Sequence, residues 1–112
     1  FCTFRKLISP DNLAPVKCST NKLEDELRVG GKRSINLDPG YLDFQKVVLA
    51  SVKQNRDKIY LCRGIWADLT LYYEKSKYKP YPWTFPDFKH GMYQDVFLQI
   101  RTIYKKQMKK QV

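Results

Sequence analysis

Residues 65 to 73 alternate with a period of two: Ile65, Ala67, Leu69, Leu71 and Tyr73 fall on one side, and Trp66, Asp68, Thr70 and Tyr72 on the other. Successive side chains of a strand point to opposite faces, so the run predicts a strand with its Ile65-to-Tyr73 set toward a core. A second strand-like run, Lys58 to Cys62, precedes it across Arg63-Gly64, and a two-residue connection containing glycine predicts a hairpin. In the simplest register Leu61 sits beside Trp66 and Ile59 beside Asp68. The second face is then partly apolar too, and is expected to be covered by a helix.

The rest of the chain is arranged around this hairpin. Phe1 to Ile8 reads as a strand, and Ser9-Pro10 as a helix start with Ser9 at the N-cap and Pro10 at the first helical position. Leu13, Val16, Thr20, Leu23 and Leu27 continue a helical stripe, which Pro15 should kink or restart and Gly30-Gly31 should end. Lys32 to Leu37 reads as a short strand, and Asp38-Pro39-Gly40 as a turn. Phe44 to Lys53 fits a helix begun by Asp43, although Val47-Val48-Leu49 equally suits a buried strand. Tyr78 to Phe88 holds Pro80, Pro82 and Pro86 among five aromatic residues, so an extended course is expected, with neither helix nor central strand. Trp83, Phe85 and Phe88 are expected to pack, with Trp83 largely buried. From Gly91 on, Tyr93, Val96, Phe97, Ile100, Ile103, Tyr104 and Gln107 follow helical spacing. The expected class is therefore α+β: one domain over residues 1–112, with order β-α-β-α-β-β-α, a mixed or antiparallel sheet and a long amphipathic C-terminal helix.

At 112 residues one core suffices. Because the chain opens on Phe1 in a strand-like run, it reads as the C-terminal part of a longer protein, to be completed by a missing N-terminal segment or a homo-oligomer. Cys2, Cys18 and Cys62 form no C-x-x-C pair and cannot all be disulfide-bonded within the chain, so a reducing cytoplasm is the expected compartment. Cys18 and Cys62 are expected to be buried as small hydrophobes. No apolar run approaches the ~20 residues of a membrane span.

The blocks Asn36-Leu37-Asp38-Pro39-Gly40-Tyr41-Leu42, Lys46-Val47-Val48-Leu49-Ala50-Ser51, Ile59-Tyr60-Leu61, Gly64-Ile65 and Pro82-Trp83-Thr84-Phe85-Pro86-Asp87 resemble, in order and spacing, an uncharacterised bacterial family described as the DUF4416 domain of unknown function. The resemblance covers nearly the whole chain and implies no catalytic residues. Family members look longer at the N-terminus, and some carry a GTP-binding label. The residues lend that label little support. Gly30-Gly31-Lys32-Arg33-Ser34 lacks the upstream glycine of a phosphate loop, where Glu26 stands, and its magnesium hydroxyl, where Arg33 stands. A helix precedes these glycines instead of following them.

Lys and Arg number 21 against 11 Asp and Glu, a net charge of +10 that attracts anions. The favoured reading is a noncatalytic module for an anionic partner such as RNA or a nucleotide, with no cofactor and no metal. Lys32, Arg33, Lys75, Lys77 and Lys79 are the candidate anion contacts, and Tyr78 and Tyr81 the candidate stacking rings. Lys105, Lys106, Lys109 and Lys110 are further cations, although cations in a last helical turn also suit the helix dipole. An alternative is a small enzyme using Asp68, Tyr72 and the single histidine His90, which excludes two-histidine zinc sites. A structural or assembly domain is the third class.

Overall fold

The alternation at residues 65 to 73 forms the longest strand of the fold. A computed structural model describes residues 1–111, and its elements in chain order are a 3-10 turn (Pro10–Asn12), α1 (Leu13–Glu26), β1 (Gly40–Leu42), β2 (Lys46–Ser51), β3 (Lys58–Cys62), β4 (Ile65–Glu74), β5 (Lys77–Pro80), α2 (Pro86–Lys89) and α3 (Gln94–Lys110). The class is α+β, with a five-stranded antiparallel sheet in the order β1-β2-β4-β3 and β5 also paired to β4.

The β3–β4 hairpin closes on Arg63 and Gly64, at φ 54° and 76°. Two successive positive φ values match the right-handed twist of the strands, and Gly64 adopts its value without a Cβ penalty. The register departs from the simplest one. A bulge at Leu61 sets Tyr60 opposite Trp66 and Ile59 opposite Ala67, while Cys62 still faces Ile65. The rings of Tyr60 and Trp66 meet edge to face at 5.1 Å, and the Tyr60 hydroxyl accepts the Gly64 N–H at 3.1 Å, which favours the bulged register.

Several sequence expectations are corrected. Residues 44 to 53 are not a helix. Asp43 Oδ1 accepts the N–H groups of Gln45 and Lys46 at 2.7 and 2.8 Å, closing a tight turn into strand β2, where Val47, Val48 and Ala50 are buried. The carboxylate caps a β-turn where a helix start was expected, and the β-branched pair follows in the conformation it prefers. Gly40 has no positive φ and begins β1, so the reversal lies at Asp43–Lys46 and not at Asp38–Gly40. Residues 1 to 8 and 32 to 37 form no strand beyond a single bridge between Val29 and Lys32. The proline segment contains edge strand β5 and a one-turn helix, α2, whose first residue is Pro86, the position where a missing N–H costs nothing. Pro15 lies in the first turn of α1, after the helix restarts from its 3-10 lead-in.

The chain divides into two compact units. One comprises residues 8–41 and 49–68 and holds α1; the other comprises residues 1–7, 42–48 and those from Leu69 on, and holds α3. In the α1 unit Leu13, Ala14, Ala50 and Ile65 are buried, together with the charged Lys17 and Glu24. These two lie seven residues apart, on one face of the helix. Glu24 Oε2 accepts the Leu37 N–H at 2.9 Å, and Lys17 Nζ donates to the Leu37 carbonyl at 3.3 Å. Side chains of α1 thus take the backbone groups of Leu37 that a neighbouring strand would take, and residues 33–37 do not join the sheet.

The core of the α3 unit is Val47, Leu71, Tyr78 and Phe97, flanked by Leu42, Tyr73, Phe88, Tyr93, Leu98 and Ile100. The Arg101 guanidinium stands 3.7 Å from the Tyr73 ring centroid and 5.4 Å from that of Phe44. Phe1 sets its ring edge-on to Tyr93 at 4.7 Å and Phe97 at 5.4 Å, and Gln107 Nε2 donates to the Arg5 carbonyl at 2.6 Å. Residues 1–7 are therefore held by side chains of α3.

Candidate functional site

Turn chemistry and register build one face of the β4–β5 hairpin in the α3 unit. Its turn residues Lys75 and Ser76 both have positive φ, 50° and 66°, and the ladder pairs Tyr72 with Lys79 and Glu74 with Lys77. Directly paired residues share a face, so Tyr72, Glu74, Lys77 and Lys79 project together, and Tyr81, two residues beyond Lys79, continues that side. The opposite side carries Leu71, Tyr73 and Tyr78, which face the core.

Tyr78, expected as a stacking ring, is therefore unavailable for stacking. It is only 2% exposed, packs against Tyr73 and Phe97, and donates its hydroxyl to the Asp43 carbonyl at 3.1 Å. Burial pushes its phenol well above the usual tyrosine range, opposed by the nearby Arg101 cation. Tyr81 does stand in an aromatic cluster: it meets Tyr72 at 5.0 Å and lies parallel to Trp83, with centroids 4.7 Å apart and planes 7° from parallel.

Trp83 was expected to be buried and is instead 39% exposed. Three hydrogen bonds fix the turn that carries it. The Thr84 N–H donates to the Tyr81 carbonyl at 3.1 Å, the Tyr81 N–H donates to Thr84 Oγ1 at 2.9 Å, and Thr84 Oγ1 donates to the Thr70 carbonyl at 2.6 Å. Trp83 Nε1 donates to the neighbouring Leu69 carbonyl at 2.8 Å. The turn is thus tied to β4 through the Leu69 and Thr70 carbonyls. Phe85, expected to pack, is 60% exposed, and Phe88 is half-buried against Tyr93 and Phe97. The alternation of prolines with rings signalled order here, but not which rings would face outward.

Lys75 and Lys77 are exposed and, among the described residues, join no ion pair, whereas Lys79 pairs with Glu74 at 3.2 Å. Lys89 Nζ donates to the Pro82 carbonyl at 3.3 Å, setting a further cation beside the turn. His90 is exposed at the end of α2.

In the α1 unit, Lys32 and Arg33 follow a two-residue turn whose Gly30 and Gly31 have φ 59° and 76°, closed by both backbone hydrogen bonds between Val29 and Lys32. Arg33 lies 3.8 Å from the buried Glu24 carboxylate. Asp68 is buried opposite Lys58, and its burial pushes its carboxyl above the ordinary 3.8, offset by Lys58 and reinforced by Asp57. Asp68 thus belongs to the α1 unit, and Tyr72 and His90 to the α3 unit. Cys62 and Cys2 are exposed and Cys18 is half-buried, so the burial expected for Cys62 does not occur. Among the described residues no cluster of three or more His, Cys, Asp or Glu residues is arranged to hold a metal, and no helix is long and apolar enough to cross a membrane.

The model of one family, described as a domain of unknown function (DUF4416), matches residues 1–104. No curated protein and no solved structure matches the chain.

Proposed function

The chain belongs to the DUF4416 family, whose description states no activity, and we propose from the hairpin face that it is a noncatalytic module for single-stranded RNA. The observation that carries this reading is the parallel Tyr81–Trp83 stack, held with a substantial part of the indole in solvent. Leaving so large a ring exposed forgoes apolar burial, and the four hydrogen bonds around it fix its position in advance of any ligand. A base stacks on such a ring whatever its identity, while lysines beside it neutralise phosphate. Lys75, Lys77 and Lys79 stand on or beside the same face. The three cysteines, without a disulfide and with two of them exposed, support a reducing, cytoplasmic setting.

The test uses Trp83 as its own reporter. In a Trp66→Phe background it is the only tryptophan, and a short oligouridylate of about ten nucleotides should quench its fluorescence. Trp83→Ala, followed through labelled RNA, should weaken binding by roughly 5- to 150-fold, the equivalent of about 1–3 kcal/mol per stacked base. Replacing Lys75, Lys77 and Lys79 by Gln should lower the slope of log affinity against log salt by about 2. Absence of binding at low salt would sink the proposal.

A further inference from the structure

Gln107 brings together two distant parts of the chain that carry the same charge. Its hydrogen bond to the Arg5 carbonyl, at 2.6 Å, holds Arg5 and Lys6 beside the last turns of α3, where Lys105, Lys106, Lys109 and Lys110 lie. All six cations are exposed, and neither residues 1–7 nor residues 96–111 contain an Asp or Glu. Lysines at the end of a helix offset its dipole, which accounts for those on α3. The dipole does not account for Arg5 and Lys6. Holding two more cations at the helix end that carries four, with no Asp or Glu in either segment, adds like-charge repulsion, and among the described residues none of the six joins an ion pair. A polyanion would remove that repulsion.

We propose that this basic pole, formed by Arg5, Lys6 and the four lysines of α3, is a second contact region that follows the phosphate backbone of a single-stranded RNA. The inference rests on the RNA reading above and adds a separate role: the pole holds phosphates, while the Tyr81–Trp83 stack holds a base. Phe4, 82% exposed and next in sequence to Arg5, offers a further ring to such a strand.

Affinity of the full chain for a labelled oligouridylate of about twenty nucleotides would be measured across salt concentrations for three proteins: wild type, the Lys105, Lys106, Lys109 and Lys110→Gln variant, and the Arg5 and Lys6→Gln variant. At about 0.7 per phosphate contact on a single strand, the slope of log affinity against log salt should fall by about 3 in the first variant and about 1.4 in the second. Arg5 and Lys6 lie outside any helix, so the second variant carries the test if the first fails to fold. Wild-type slopes in the Arg5/Lys6 variant, with RNA still bound, would overturn the pole as a contact region and leave the stacking site standing. No RNA binding by the wild type would remove both, and binding of phosphatidylserine vesicles through these same cations would then assign the pole to a lipid surface instead.

Discussion

Gln94 pairs with Tyr78 as a neighbouring strand would: its Oε1 accepts the Tyr78 N–H at 2.7 Å and its Nε2 donates to the Tyr78 carbonyl at 2.7 Å. β5 otherwise presents these groups on its side away from β4, and unpaired strand edges template association with other chains. One amide at the first residue of α3 thus closes the edge and fixes the helix to the hairpin that carries the aromatic stack.

Gln94→Ala leaves a partly buried N–H and carbonyl without these partners, and at about 1–3 kcal/mol for each such group the loss should total about 2–6 kcal/mol. Gln94→Glu should be similarly damaging at neutral pH, where a carboxylate would oppose the Tyr78 carbonyl, and should recover in acid as protonation restores a donor. Urea melts of both variants at neutral and acidic pH test this. A Gln94→Ala protein as stable as wild type would show that the edge is held by packing alone.

Glu24 plays the comparable part in the α1 unit, through the Leu37 N–H. Glu24→Ala should release residues 32–37 from α1, with an expected loss of about 1–3 kcal/mol and faster hydrogen exchange at the Leu37 amide. Glu24→Gln keeps an acceptor and should lose less. Unchanged protection at Leu37 in the alanine variant would count against the clamp.

These two side-chain amide and carboxylate contacts also mark where sequence reasoning reached its limit. The β3–β4 hairpin and α3 were legible because their periods, two and 3.6 residues, persist over many positions. The segment at residues 32–37 has the composition of a strand but joins no sheet, and the backbone groups of its Leu37 are taken by Lys17 and Glu24, which helical spacing marks only as polar residues. Phe44 to Lys53 was ambiguous in principle: a short apolar run flanked by lysines fits either period, and Asp43 caps a helix or a β-turn with the same chemistry. The lysines and Tyr81 of the hairpin face were read from the interleaving of basic and aromatic residues. Hydrophobicity argues for burial of Trp83, whereas its place follows from the hydrogen bonds of Trp83 to the Leu69 carbonyl and of Thr84 to the Thr70 carbonyl, which only the folded chain brings together.

Asp68 gives a pH dependence with a definite sign. Burial raises its folded-state pKa above the ordinary 3.8, so its contribution to stability is fully present below that value and is lost as pH rises through the folded pKa. Asp68→Asn, which carries no charge at any pH, should lose that dependence, so its stability relative to wild type should improve as pH rises from about 3.8 toward neutrality. Denaturant midpoints of the two proteins across this range provide the comparison. A constant difference would mean that Lys58 compensates the buried carboxylate fully.

The glycine pair makes the last prediction, against a phosphate loop for GTP. Gly30 and Gly31 close a two-residue turn between Val29 and Lys32, and residues 33–39 form no helix. A phosphate loop depends on a helix beginning at the glycines, whose free N–H groups face the anion, and on a hydroxyl for magnesium after the lysine. Here both Val29–Lys32 backbone hydrogen bonds are made within the turn, Arg33 stands where the hydroxyl would be, and its guanidinium faces Glu24. Any attraction of GTP to this region should therefore be generic, independent of magnesium, similar for GTP, ATP and inorganic triphosphate, and weakened by salt. Calorimetry with the three ligands, with and without magnesium, makes the comparison. Tight, magnesium-dependent binding of GTP that Lys32→Ala abolishes would contradict it.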